Sequence, residues 1–182
     1  MDYRCENNFT ASDMDALKSD DVDSILPLFL PVDSEAYYGI AGTAVRTLMR
    51  LVDTGLYPDK AYIMQKTEDE NGALQKVEGE KGFVSALGGK GNALQFTASV
   101  FGQEKFASVD EDALDAIGEL LNCINGLYVS ECKDGSSLEL MPPSFKTGIQ
   151  GFESRKMLVL PIHIKNDCVD LMIAIGDEIE MK

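Results

Sequence analysis

The chain has 182 residues, 45% of them hydrophobic, which suits one domain with a sizeable core. Its 31 acidic residues against 16 basic ones set a formal net charge of −15, which argues against nucleic acid and anionic membranes and favours a protein partner. No apolar run approaches the roughly 20 residues of a membrane span, and the opening MDYRCENNF lacks the basic-then-apolar order of a signal peptide, so the expected location is cytoplasmic.

Residues 1–33 read as an N-terminal extension that docks on the body, with Ser12 as a candidate helix cap and an apolar run at 25–30 between Pro27 and Pro31. The first long helix is expected over 33–55, where Tyr37, Ala41, Ala44, Leu48 and Leu51 recur at helical spacing before Gly55. Residues 61–67 alternate as a strand, and 67–82 form a charged, glycine-punctuated connection with a weak strand inside it. Strands are then expected at 83–87 and 94–101 around Gly88-Gly89-Lys90-Gly91. That cluster lacks the spacing of a phosphate loop and reads as a hairpin turn.

Residues 108–128 form a second long helix with a distinctive polar face. Ser108 and Glu111 have the form of a capping box, Asp110, Glu111 and Asp112 suit the dipole, and Gly126 marks the end. Leu114, Ile117, Leu121, Ile124 and Tyr128 make a core-facing stripe. Asp112, Asp115, Glu119 and Asn122 fall in the opposite sector, so Glu119 and Asn122 point outward as neighbours. Asn is a poor helix-interior residue, costing roughly half a kcal/mol against Ala, and Asn122 has no capping task there.

After this helix, 137–141 reads as a strand, 142–155 as a long loop, and 157–165 and 169–176 as apolar strands joined by a turn at Asn166-Asp167. Cys5, Cys123, Cys132 and Cys168 are scattered without a C-x-x-C pair, and neither they nor the lone His163 suggest a metal site. Residues 54–57 align without a gap on 125–128. Extended backward, that register sets Leu48 against Glu119 and Leu51 against Asn122, so only the second helix carries the polar pair.

The phrase Asp115-Ala-Ile-Gly-Glu119-Leu-Leu-Asn122-x-x-Asn125-Gly126 resembles the signature helix of the CheC/CheX-type chemotaxis phosphatases, in the form with a single E-x-x-N motif. The resemblance implies an α+β, CheC-like fold: two layers, with two long helices packed on a largely antiparallel sheet, in a pseudo-two-fold helix-strand-loop-strand-strand repeat. The expected organisation is an extension at 1–33 and a single domain at 34–182 made of half-repeats 34–101 and 108–176. The implied partner is a phosphorylated CheY-like response regulator in two-component signalling, whose aspartyl phosphate would be hydrolysed.

By that resemblance the catalytic residues are Glu119, which engages a Lys of the regulator, and Asn122, which enters its active site and holds the water. The Mg²⁺ and the Lys come from the regulator, and no cofactor or metal is expected in this chain. Asp115, Gly118 and Gly126 are expected on the partner-binding surface, the glycines leaving room for close approach. The family also implies a homodimer joined through sheet edges, opposed here by like charge. The alternative is a catalytically silent regulator-binding or flagellar-switch-like module on the same fold. A small-molecule hydrolase would need a nucleophile and a base that the sequence does not offer.

Overall fold

The computed structural model describes residues 21–31, 34–132 and 137–182. Ser12, Cys5 and the rest of 1–20 lie outside the described residues. The remainder of the N-terminal segment forms one turn, α1 (Val22–Ile25), followed by a 3-10 turn over Leu26–Leu28. Asp21 caps it, its Oδ2 accepting from Ser24 Oγ at 2.6 Å and its Oδ1 from Asp23 N at 3.3 Å. The turn collects Val22, Ile25, Leu26, Phe29 and Leu30 on its buried side. They cover α2 (Glu35–Leu51), whose Leu48 is fully buried in the same core as Val22, Leu26 and Leu30.

Nine strands form one antiparallel sheet among the described residues: β1 (Tyr57–Pro58), β2 (Tyr62–Lys66), β3 (Asn71–Gly79), β4 (Phe83–Gly89), β5 (Leu138–Leu140), β6 (Ser144–Thr147), β7 (Phe152–Ile164), β8 (Asp167–Ile175) and β9 (Glu180–Met181). The order is β1-β7-β8-β4-β3-β5, with β2 and β9 also on β7 and β6 also on β3. β3 is thus a full interior strand where the sequence suggested a weak one, and β6 lies inside the stretch expected to be loop. The second hairpin turns at Lys165-Asn166, one residue earlier than expected, because Ile164 pairs with Asp167. Lys165 takes φ 60° there.

Residues 94–101 are not a strand. They belong to the helix α3 (Asn92–Phe101), which starts directly after Gly91. Phe, Thr and Val favour a strand by propensity, but the buried positions Ala93, Leu94, Thr97 and Ala98 have helical spacing, and burial of that stripe prevails. The glycine cluster is therefore a strand-to-helix connection and not a hairpin turn. Asp167 Oδ2 accepts from Ala93 N at 3.2 Å, so a carboxylate of this chain occupies the helix N-terminus. A side chain at Gly91 would collide with that carboxylate.

The second long helix is α4 (Glu111–Glu131). Its N-cap is Asp110, whose Oδ1 accepts from Ala113 N at 3.0 Å, and not Ser108. At the other end it continues through Gly126 for five more residues to Glu131. The helices α2, α3 and α4 cover one face of the sheet, and Leu114, Ile117, Leu121 and Ile124 share one buried core with Leu158, Leu160, Leu171 and Ile173. The other face carries a smaller core around Phe152, Met157, Val159 and Met172. The Phe152 ring lies over the paired Gly72 and Gly88, where a Cβ would come within 2.5 Å and 2.6 Å of it.

The strand order is symmetric about the β4–β8 pair, since β1 and β2 join β7 on one flank as β5 and β6 join β3 on the other. The helix ends do not follow the expected gapless register. Residues 54–57 lie beyond the end of α2, whereas 125–128 lie inside α4. Leu48 is buried where Glu119 is exposed, in the core that Val22, Leu26 and Leu30 of the N-terminal segment share.

Candidate functional site

The outward face of α4 carries Asp112, Asp115, Glu119 and Asn122, all exposed. This follows from burial of Leu114, Ile117, Leu121 and Ile124 on the far side of the helix. Glu119 and Asn122 sit one turn apart on that face. Among the described residues Glu119 makes no hydrogen bond or ion pair, so its carboxylate is available to a cation. Cys123 is exposed beside Asn122.

The two glycines are placed differently from expectation. Gly118 is buried, and a Cβ on it would lie 3.2 Å from Pro143 Cβ, so a segment of this chain occupies the room expected for a partner. Gly126 is half-buried inside the helix, with Leu140 Cδ2 3.9 Å from where its Cβ would be. The exposed surface therefore joins Asp115, Glu119 and Asn122 but not Gly118.

Beneath Asn122 lies a polar network that reading the sequence did not find. Gln75, fully buried on β3, donates through Nε2 to Asn122 Oδ1 at 2.9 Å and to the Met141 carbonyl at 2.8 Å. Its Oε1 accepts from Asn125 Nδ2 at 2.8 Å. Asn125 is fully buried in turn, with Ser85 Oγ of β4 at 2.9 Å from its Nδ2 and 3.0 Å from its Oδ1. The sequence signal was Asn125 itself, a second polar residue interrupting the apolar side of a helix interior.

The sheet face away from α4 bears an open cavity of about 580 Å³ whose lining includes Tyr62, Asp69, Lys90, Cys168 and Asp170. Burial, then the neighbouring Asp69 carboxylate, raises Asp170 to about 6 against the pull of Lys90 and His163. Burial, then Asp170, pushes the Cys168 thiol up to about 12, so no thiolate nucleophile is offered at neutral pH. His163 stacks on Tyr57 with ring centroids 4.7 Å apart and places Nε2 3.1 Å from Asp59 Oδ2, a packed surface ring.

The family model for the chemotaxis phosphatase CheX matches residues 72–163, just over half of the chain, spanning Gln75, Ser85, Glu119, Asn122 and Asn125. The chain belongs to the CheX family. Its α+β fold is that of solved CheX and CheC-like proteins. The CheC-like superfamily protein from Shewanella sp. PV-4 superposes with a TM-score of 0.65 at 15% identity, over 80% of this chain and 99% of that one. CheX from Vibrio vulnificus gives 0.65 at 14% identity, over 79% and 100%. The CheX of the CheX–CheY–BeF3–Mg²⁺ complex from Borrelia burgdorferi gives 0.59 at 17% identity, over 78% and 97%. No curated protein matches the chain. Within this CheX-family chain, no helix among the described residues is long and apolar enough to cross a membrane.

Proposed function

We propose that this chain is a phosphatase for the aspartyl phosphate of a CheY-like response regulator, with Asn122 positioning the attacking water and Glu119 engaging the regulator. The observation that carries the reading is the pair on α4: Glu119 exposed and without a cationic partner among the described residues, and Asn122 exposed one turn away. Membership of the CheX family, and the existence of a CheX bound to CheY from Borrelia burgdorferi, support the class of partner.

An aspartyl phosphate is an acyl phosphate, so its hydrolysis asks chiefly for a water held in line with the departing carboxylate and for neutralised charge on the phosphoryl oxygens. The regulator would hold the Mg²⁺ and supply the Lys. A side-chain amide at Asn122 holds a water without titrating near neutral pH. The Glu119 carboxylate pairs with the regulator's Lys and fixes the docking register, and Asp115 extends the acidic strip toward the same partner. Water oxygen bonds to phosphorus, the phosphorus–carboxylate bond breaks, and the regulator's Asp departs as carboxylate.

The decay of a phosphorylated CheY-like receiver domain with and without catalytic amounts of this protein tests the reading. Accelerated decay is expected. Binding without acceleration would leave a silent interaction module in its place.

A further inference from the structure

The structure assigns to Gln75 a positioning role: it fixes the Asn122 amide so that Nδ2, and not Oδ1, is presented to the partner. This rests on the reading of Asn122 as the water-holding group, and it deepens that reading by naming the atom.

The inference follows from the polarity of the network. The Met141 carbonyl is an acceptor whatever its surroundings, so the Gln75 atom 2.8 Å from it must be the Nε2 donor. That choice turns Gln75 Oε1 toward Asn125, which must then answer with Nδ2, at 2.8 Å. The same Nε2 supplies its second proton across 2.9 Å to Asn122, and only Oδ1 can accept it. One backbone carbonyl thereby sets the orientation of three amides in series, removing the ambiguity that side-chain amides otherwise carry. Gln75 and Asn125 are both fully buried, so rotating either would leave a donor facing a donor away from water. Asn122 alone reaches the surface, with Nδ2 making no hydrogen bond among the described residues.

An outward NH₂ can donate to the oxygen of a water but cannot take a proton from it. That suffices for a loose phosphoryl-transfer transition state, in which the entering water has lost little of its proton and location matters more than basicity. Asn122 Nδ2 holds the water oxygen through one lone pair, and the other is directed at phosphorus. The water's proton passes to a phosphoryl oxygen as the regulator's carboxylate leaves, so the products are inorganic phosphate and free Asp. Anchoring Oδ1 from below removes the rotation that would blur this placement.

The test uses the whole chain with a phosphorylated receiver domain. Gln75→Met keeps length and removes both donors, and Gln75→Leu removes them with a branched side chain of similar bulk. Each should lower kcat about tenfold or more with KM unchanged, as expected of lost positioning. In an Asn122→Ala background neither should lower it further. Wild-type kcat in a folded Gln75→Met or Gln75→Leu protein, or an equal loss in the Asn122→Ala background, would overturn the assignment.

If the wild type fails to accelerate decay at all, the proposed reaction falls, and side-chain ¹⁵N NMR then judges the positioning alone. Slow exchange of the Gln75 Nε2 protons, with an ordered Asn122 NH₂ that becomes mobile in Gln75→Met, upholds it. Fast exchange of those protons, or an Asn122 NH₂ indifferent to Gln75, overturns it.

Discussion

Gly118 on α4 and Pro143, on the segment between β5 and β6, pack so tightly that a Cβ on the glycine would lie 3.2 Å from the proline Cβ and 3.3 Å from its Cγ. The contact clamps 141–145 against the helix next to Gln75 and Asn122. Gly118→Ala gains up to about 1 kcal/mol of helix propensity and loses a comparable amount to crowding, so its stability should stay near wild type. Gly118→Val should cost about 1–3 kcal/mol because its added methyl groups have nowhere to go. Urea titration of both variants checks this, and a Gly118→Val protein as stable as wild type would disprove the clamp.

Asn122→Ala should slow receiver dephosphorylation about a hundredfold or more while leaving a measurable remainder, and it should cost about 1–2 kcal/mol of stability, because the buried Gln75 Nε2 loses an acceptor while Ala is the better helix former. Thermal melts and decay assays on one preparation measure both.

Glu119→Lys should weaken regulator binding more than Glu119→Ala, because it sets a positive charge against the regulator's own cation. The difference should shrink as salt rises. Calorimetric titration of a receiver domain at two ionic strengths gives the comparison.

The raised titration of Asp170 predicts a pH-dependent stability. A carboxyl group whose folded pKa lies above its unfolded value favours the folded state while protonated, and that contribution is lost as pH rises through about 6. Asp170→Asn removes the burial cost of the charge. It should therefore raise stability above pH 6, by an upper bound of about 3 kcal/mol, and give little below pH 4, near the ordinary carboxylate range. Chemical unfolding of both proteins at pH 4 and pH 7.5 reads this, and an equal gain at the two values would point to another cause.

Assembly through a sheet edge has a specific candidate in β2, where Tyr62 and Ile63 are 43% and 40% exposed on a strand that, among the described residues, is paired on one side only, with β7. A homodimer joined there should strengthen with salt, which screens the repulsion of two chains of net charge −15. Replacing Ile63 by Pro should dissociate it, because Pro removes an edge donor. Sedimentation of both forms at low and high ionic strength tests the edge, and a monomeric wild type in both would refute it.

Much of the architecture was legible in the sequence because periodicity reports burial. Leu114, Ile117, Leu121 and Ile124 announced both the helix and its solvent side, and the outward position of Glu119 and Asn122 followed from them. The failures share a cause. Residues 94–101 are rich in strand formers, yet tertiary burial of Ala93, Leu94, Thr97 and Ala98 made them helical. Gln75 lay in a stretch whose charge and glycines suggested a connection, and nothing local shows that a distant helix will bury it. Gly118 faced inward because Pro143, 25 positions later in the chain, packs there.

The exchange of strands across the sheet has a consequence for how the protein forms. β1 and β2 complete the edge of β7, and β5 and β6 complete the edge of β3, so each part of the chain finishes a sheet begun by the other. Neither can close its sheet before the other has been synthesised. Folding must await pairings far apart in sequence, such as Tyr57 with His163, whose loop closure slows it. A chain severed between α3 and α4 would yield two fragments with raw edges that recover a fold only by finding each other.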